Sequence, residues 1–207
     1  QIAWRCKIRC YLRDMKRMTV FCGASSGADA SYRLAAEAMG RALVERKLEL
    51  VFGGGMVGLM GVVADAVLHG GGSAIGVIPT FLAKKEIAHE GLTELIVVDS
   101  MHTRKMRMHE MSDAAIALPG GYGTLDELFE LLTWSQLGVH RKPIGLLNVH
   151  GYFDHLIAFI DHMQREDFIQ SDTRSLLVHD QDVHRLLDKM EAYVAPALPA
   201  WLNNEGI

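Results

Sequence analysis

Leu118-Pro119-Gly120-Gly121-Tyr122-Gly123-Thr124-Leu125-Asp126-Glu127 closes a short apolar run over residues 114–118 and opens a segment in which Leu128, Leu131 and Leu132 recur on one helical face. A strand therefore runs into a glycine turn and out into a helix. Such a turn aims backbone N–H groups and the positive end of a helix dipole at one spot suited to phosphate. Glycine also lets a ligand approach where a Cβ would collide. Thr124 followed three positions later by Glu127 fits a capping box as well, in which each side chain satisfies an orphan N–H of the helix start. Taken alone, the stretch supports a structural turn and an anion site equally, and the two readings are compatible. A glutamate in the first helical turn is kept ionised by the dipole, and an ionised carboxylate suits a cationic transition state.

Outward from this stretch the chain alternates strand and helix, the pattern of a parallel α/β sheet covered on both faces. Strands are expected over residues 19–22, 48–52, 74–78, 95–98, 114–118 and 144–148, with an edge strand at 176–178. Helices are expected over 30–46, 58–68, 102–112, 152–165 and 182–194, and a short helix plus loop over 80–89. Small residues at Gly61 and Ala64 predict close approach of the second helix to the sheet. Glycine turns at Gly23, Gly53 and Gly120 each follow a strand, so all three converge on one cleft at the carboxyl ends of the strands. That cleft suits a mononucleotide.

Two further blocks carry a resemblance. Gly53-Gly54-Gly55 through Gly58-Leu59-Met60-Gly61 and Met101-His102-Thr103-Arg104-Lys105, together with the Pro119–Glu127 stretch, resemble the glycine turn, second block and PGGxGTxxE signature of the LOG family. These are cytokinin riboside 5'-monophosphate phosphoribohydrolases, long labelled as lysine decarboxylases, and the similarity runs from about residue 18 to about residue 194. The resemblance implies a Rossmann-like doubly wound parallel sheet and a homodimer with its cleft near the subunit contact. It also implies hydrolysis of the N-glycosidic bond of an N6-substituted adenosine 5'-monophosphate. It assigns Glu127 as the catalytic carboxylate and Arg104 as its partner. Gly120, Gly121, Tyr122, Gly123, Thr124, Leu125 and Asp126 become substrate-binding, with Gly121 to Thr124 on the 5'-phosphate. Glu86, Lys105 and Thr133 match substrate-binding positions. Gly23, Ser25, Ser26, Gly54, Gly55, Gly58 and Met101 line the cleft. An AMP nucleosidase without cytokinin preference, or a nucleotide sensor without catalysis, would share most of these features; the pairing of Arg104 with Glu127 argues against the sensor.

Composition sets the remaining bounds. At 207 residues and 49% hydrophobic content the chain can bury a full core, as one domain expected over residues 18–195. Residues 1–17 carry six basic side chains against Asp14, a net +5 within a whole-chain −4, so the rest carries about −9. We read 1–17 as a basic leader or upstream extension and 196–207 as a tail. An acidic body disfavours sequence-independent nucleic-acid binding, and no apolar run reaches the roughly 18 to 20 residues of a membrane span. Three cysteines make no disulfide framework and predict a reducing, cytoplasmic setting.

Other chemistries lack their residues. His109-Glu110 has no second histidine at the spacing of a zinc helix, so no metal is expected. No Gly-x-Ser-x-Gly elbow is present. Gly53-x-Gly55-x-x-Gly58 lacks the acidic residue about 20 positions on that NAD prefers. Lys105 alone would have to support pyridoxal phosphate, so no cofactor is expected. Cys22, at a strand end, reads as a small core filler.

Overall fold

A computed structural model describes residues 15–83 and 88–197. The leader up to residue 14, the segment 84–87 with Glu86, and the tail from residue 198 lie outside the described residues. The elements are β1 (Arg17–Phe21), α1 (Ala30–Glu45), β2 (Glu49–Phe52), α2 (Gly58–His69), β3 (Ala74–Pro79), α3 (Thr80–Ala83), β4 (Glu94–Val98) and α4 (Met101–Met111). They continue with β5 (Ala114–Ala117), α5 (Tyr122–Gln136), β6 (Ile144–Leu147), a 3-10 turn (Val149–Gly151), α6 (Asp154–Arg165), α7 (Ser171–Arg174), β7 (Leu177–Asp180) and α8 (Val183–Glu191). No helix among the described residues is long and apolar enough to cross a membrane.

The strands form one parallel sheet in the order β4-β3-β2-β1-β5-β6-β7. Near its centre β5 is wholly apolar and β1 is buried from Met18 to Phe21, because each of their faces meets helices. Alternate residues of β1 and β5 divide between two cores. Met18, Val20, Ala114 and Ile116 join α1, α2 and α8 on one face, while Phe21, Ala115 and Ala117 join α4, α5 and α6 on the other. A side chain such as Leu43 or Leu128, fully buried here, contributes roughly 1.5–3 kcal/mol by leaving water.

Three local readings are corrected. β1 begins at Arg17, inside the stretch assigned to the leader, because the Lys16 and Arg17 N–H groups both donate to Asp113, at 2.8 and 3.0 Å. Gly61 does not serve contact with the sheet: a Cβ there would strike the backbone of Met56, whereas Gly40 is what lets α1 lie on Ala66 and Val63 of α2. The helix expected from residue 152 starts at Asp154, since His150 (φ 49°) and Gly151 (φ 72°) turn left-handed just before it.

β1 feeds β2, β3 and β4 to one side, and β5 then returns to pair with β1 on the other. The connections thus change direction between β1 and β5, and the crevice for a ligand opens at the carboxyl ends of these two strands.

Candidate active site

The loops leaving β1 and β5 are joined at that crevice. Leu118 N–H donates to Phe21 at 2.8 Å, and Gly23 N–H donates to the carbonyl of Pro119 at 3.0 Å. The loop after β2 closes against the loop after β1. Leu59 N–H, at the start of α2, donates to the carbonyl of Gly23 at 3.0 Å. Gly58 adopts φ +60° with no room for a Cβ against Ala24 and Ser25. Gly23 and Gly120 are therefore neighbours, and the loop that Gly53 opens reaches Gly23 through Gly58 and Leu59.

α5 does not begin as a capping box. Its N-cap is Gly121, in extended conformation and without a side-chain cap. Thr124 is the third residue inside the helix and buried, and Glu127 sits in the second turn. The first-turn N–H groups, which have no acceptor within the helix, are thereby left without a capping side chain. The glycines differ in what they permit. A Cβ on Gly120 would strike Thr124 and Gly23, so Gly120 is required by the fold, whereas a Cβ on Gly121 or Gly123 would meet nothing within 4 Å. Bare space over the N-terminus of a fifteen-residue helix is where an anion fits.

Arg104 enters from α4, whose N-terminus is capped by Ser100 Oγ accepting from Thr103 N–H at 3.1 Å. The side chain is only 7% exposed. Nη2 donates to the carbonyl of Gly53 at 3.2 Å, Nη1 lies 3.7 Å from Met101 Sδ, and Nε has no protein partner among the described residues. Glu127, partly buried, faces this cation from α5. Burial pushes its carboxyl up from 4.5 to about 7; Arg104 opposes that rise and Asp126 adds to it. Among the described ion pairs none joins Arg104 to Glu127, which leaves the two charges free to share a ligand.

Lys105 is engaged elsewhere. Its Nζ lies 3.1 Å from Asp126 and 3.2 Å from Glu130, clasping α4 to α5. Burial by itself would lower its pKa, but the two carboxylates outweigh burial and hold it above its ordinary value. A Schiff-base lysine must shed its proton, so Lys105 does not fit pyridoxal phosphate. Behind Glu127, a cavity of about 20 Å³ reaches Thr19, His109, Glu130, His140 and Lys142, large enough for one water.

The remaining expected residues divide. Gly54 (φ +77°) and Gly55 border the loop that returns at Ala88 and His89, with His89 N–H donating to the carbonyl of Gly54 at 3.0 Å. Ser25 and Ser26 are exposed on the loop after β1, and Tyr122 is 94% exposed. Leu125 packs into the core beneath α5 and its N–H donates to the carbonyl of Gly121 at 3.2 Å, so it offers a ligand neither side chain nor N–H. Thr133 is not brought to Glu127. It lies about 9 Å farther along α5, on an exposed face, its hydroxyl donating to the carbonyl of Phe129 at 2.8 Å. Cys22 is buried beside Glu127, and burial followed by that carboxylate pushes its thiol far up, as suits a core filler. Sequence reasoning missed Tyr152, whose hydroxyl donates to the carbonyl of Gly120 at 2.7 Å. Its signal was present: Tyr152 follows the carboxyl end of β6, the side of the sheet where the crevice opens.

Residues 60–190 match the family model described as "Possible lysine decarboxylase". The chain is 54% identical over 179 residues to LOGL9 of Oryza sativa subsp. japonica, named as a probable cytokinin riboside 5'-monophosphate phosphoribohydrolase; the match covers 86% of this chain and 79% of that protein. It is 52% identical to cytokinin riboside 5'-monophosphate phosphoribohydrolase LOG7 of Arabidopsis thaliana, over 86% of this chain and 82% of that one. The molybdenum cofactor carrier protein of Chlamydomonas reinhardtii shares the fold, with a TM-score of 0.63 at 17% identity over 86% of this chain and 98% of that one.

Proposed function

The chain belongs to the LOG family, and we propose that it hydrolyses the N-glycosidic bond of N6-substituted adenosine 5'-monophosphates, releasing the free base and ribose 5-phosphate. The observation that carries this reading is Glu127: a carboxylate held with its pKa near 7, facing a fixed guanidinium, one turn beyond an uncapped glycine helix start. Cleavage develops positive charge on the ribose and negative charge on the departing base. Ionised Glu127 stabilises the first and orients water toward the anomeric carbon. Arg104 supplies the fixed cation for the substrate's negative charge. Gly121 to Thr124 receive the 5'-phosphate on backbone N–H groups. Comparing ribose 5-phosphate release from AMP and from N6-isopentenyl-AMP tests the reading. Faster turnover of the N6-substituted nucleotide supports it, and equal rates make the protein an AMP nucleosidase.

The same proposal includes a homodimer in the cytoplasm. Leu137 at the end of α5, Val139 just beyond it and Met106 on α4 are exposed, more apolar surface than the sheet covers. Thr133 lies on the outward side of α5 and would meet substrate only across such a contact. Sedimentation at micromolar concentration should give a dimer; a monomer removes this part of the proposal.

A further inference from the structure

Gly120 and Gly121 share one peptide group, and in a trans peptide the C=O and N–H point in opposite directions. The Tyr152 hydroxyl donates to the Gly120 oxygen at 2.7 Å. One residue earlier, the Pro119 oxygen is held by Gly23 N–H at 3.0 Å. Both carbonyls are thus tied down by the protein, and the Gly121 N–H is turned away from Tyr152, toward the bare N-terminus of α5.

Tyr152 is delivered to this contact by a constrained loop. Asn148, buried at the end of β6, accepts from Phe153 N–H at 2.8 Å and donates to Asp154 at 2.7 Å. Between these anchors His150 and Gly151 both adopt left-handed conformations, a geometry that a non-glycine residue keeps only when its surroundings impose it. The Tyr152 ring packs edge-on against Phe153, centroids 4.8 Å apart, and against Tyr32 of α1, 5.5 Å apart. Tyr32 in turn covers Gly27 (φ +74°) in the loop after β1. The ring is therefore seated by aromatic contacts, and only its hydroxyl reaches the glycine turn.

We propose that Tyr152 is a positioning residue for the phosphate cradle, its hydroxyl orienting the Gly120–Gly121 peptide so that the Gly121 N–H meets the 5'-phosphate. The inference rests on the reading that Gly121 to Thr124 hold that phosphate. Tyr152→Phe keeps the aromatic packing and deletes the one hydrogen bond. Competitive inhibition by ribose 5-phosphate and by adenine separates the phosphate end of the site from the base end. The variant should bind ribose 5-phosphate about tenfold more weakly, the size of one lost hydrogen bond, bind adenine within about twofold of the parent, and raise KM for the nucleotide more than it lowers kcat. Gly121→Ala, whose Cβ enters the cradle, is the control. If Gly121→Ala leaves ribose 5-phosphate binding intact, the underlying phosphate assignment fails. If Gly121→Ala weakens it but Tyr152→Phe does not, or if Tyr152→Phe weakens both inhibitors alike, the positioning role is overturned.

Discussion

Arg104 donates through Nη2 to the carbonyl oxygen of Gly53 at 3.2 Å, so the cation of α4 is held by the backbone of the loop after β2. Gly53 has no space for a side chain: a Cβ would lie inside the guanidinium. Gly53→Ala should therefore act as an indirect Arg104 variant, lowering kcat/KM at least about tenfold by displacing the cation. Arg104→Ala should raise KM and lower kcat together, by about 10² or more in kcat/KM. Arg104→Lys should recover little, because a point charge does not reproduce the planar fork. Steady-state kinetics on the three variants checks the set, and a fully active Gly53→Ala would contradict it.

Glu127→Gln separates chemistry from binding. It keeps the side chain's size and removes its charge, and an interaction made chiefly in the transition state lowers kcat without loosening the ground state. Turnover should fall at least about a hundredfold while calorimetry gives an unchanged Kd for nucleoside monophosphate. Normal turnover would falsify the assignment of Glu127.

The Glu127 pKa of about 7 fixes the acid limb of the pH profile. If the ionised form is active, kcat/KM should rise with pH and reach half its plateau near pH 7. Lys105 lowers this pKa, so Lys105→Met should move the limb to higher pH with little change in KM. A raised KM on an unmoved limb would return Lys105 to direct substrate contact.

Stability carries the same signature with a defined sign. The Glu127 carboxyl is raised in the fold from 4.5 to about 7, so the native state holds a proton that the unfolded chain releases. This contribution is fully present below pH 4.5 and is lost as pH rises through about 7. Glu127→Gln should thus match the parent's melting temperature at pH 4 and exceed it at pH 8, by about 1–3 kcal/mol or roughly 2–8 °C. Calorimetric melts showing the same difference at both pH values would exclude the linkage.

The parallel order of the elements was legible because apolar runs of strand length alternate with helical periods, and the glycine turns mark where strands end. Arg104 and Glu127 were legible through a resemblance, whereas their geometry was not. Thr124 and Glu127 have the spacing of a capping box, yet the helix starts earlier, at Tyr122, and spacing alone carries no register. Lys105 sits beside Arg104 in sequence, but adjacent helical residues diverge by about 100°, which turns it to Asp126 and Glu130. Tyr152 lies 32 residues from Gly120, and only the pairing of β5 with β6 brings them together.

α4 is tied at every level: Ser100 caps its start, Arg104 and Lys105 tether its middle, and near its end the Ser112 hydroxyl, paired with that of Thr19, donates to the carbonyl of Met108. A helix so fastened has no sliding motion left to offer an arriving nucleotide. The entropy of aligning Arg104 with Glu127 is lost once, during folding, and is not demanded again at each encounter. Preorganisation of this kind directs selectivity toward ligands already shaped to the gap.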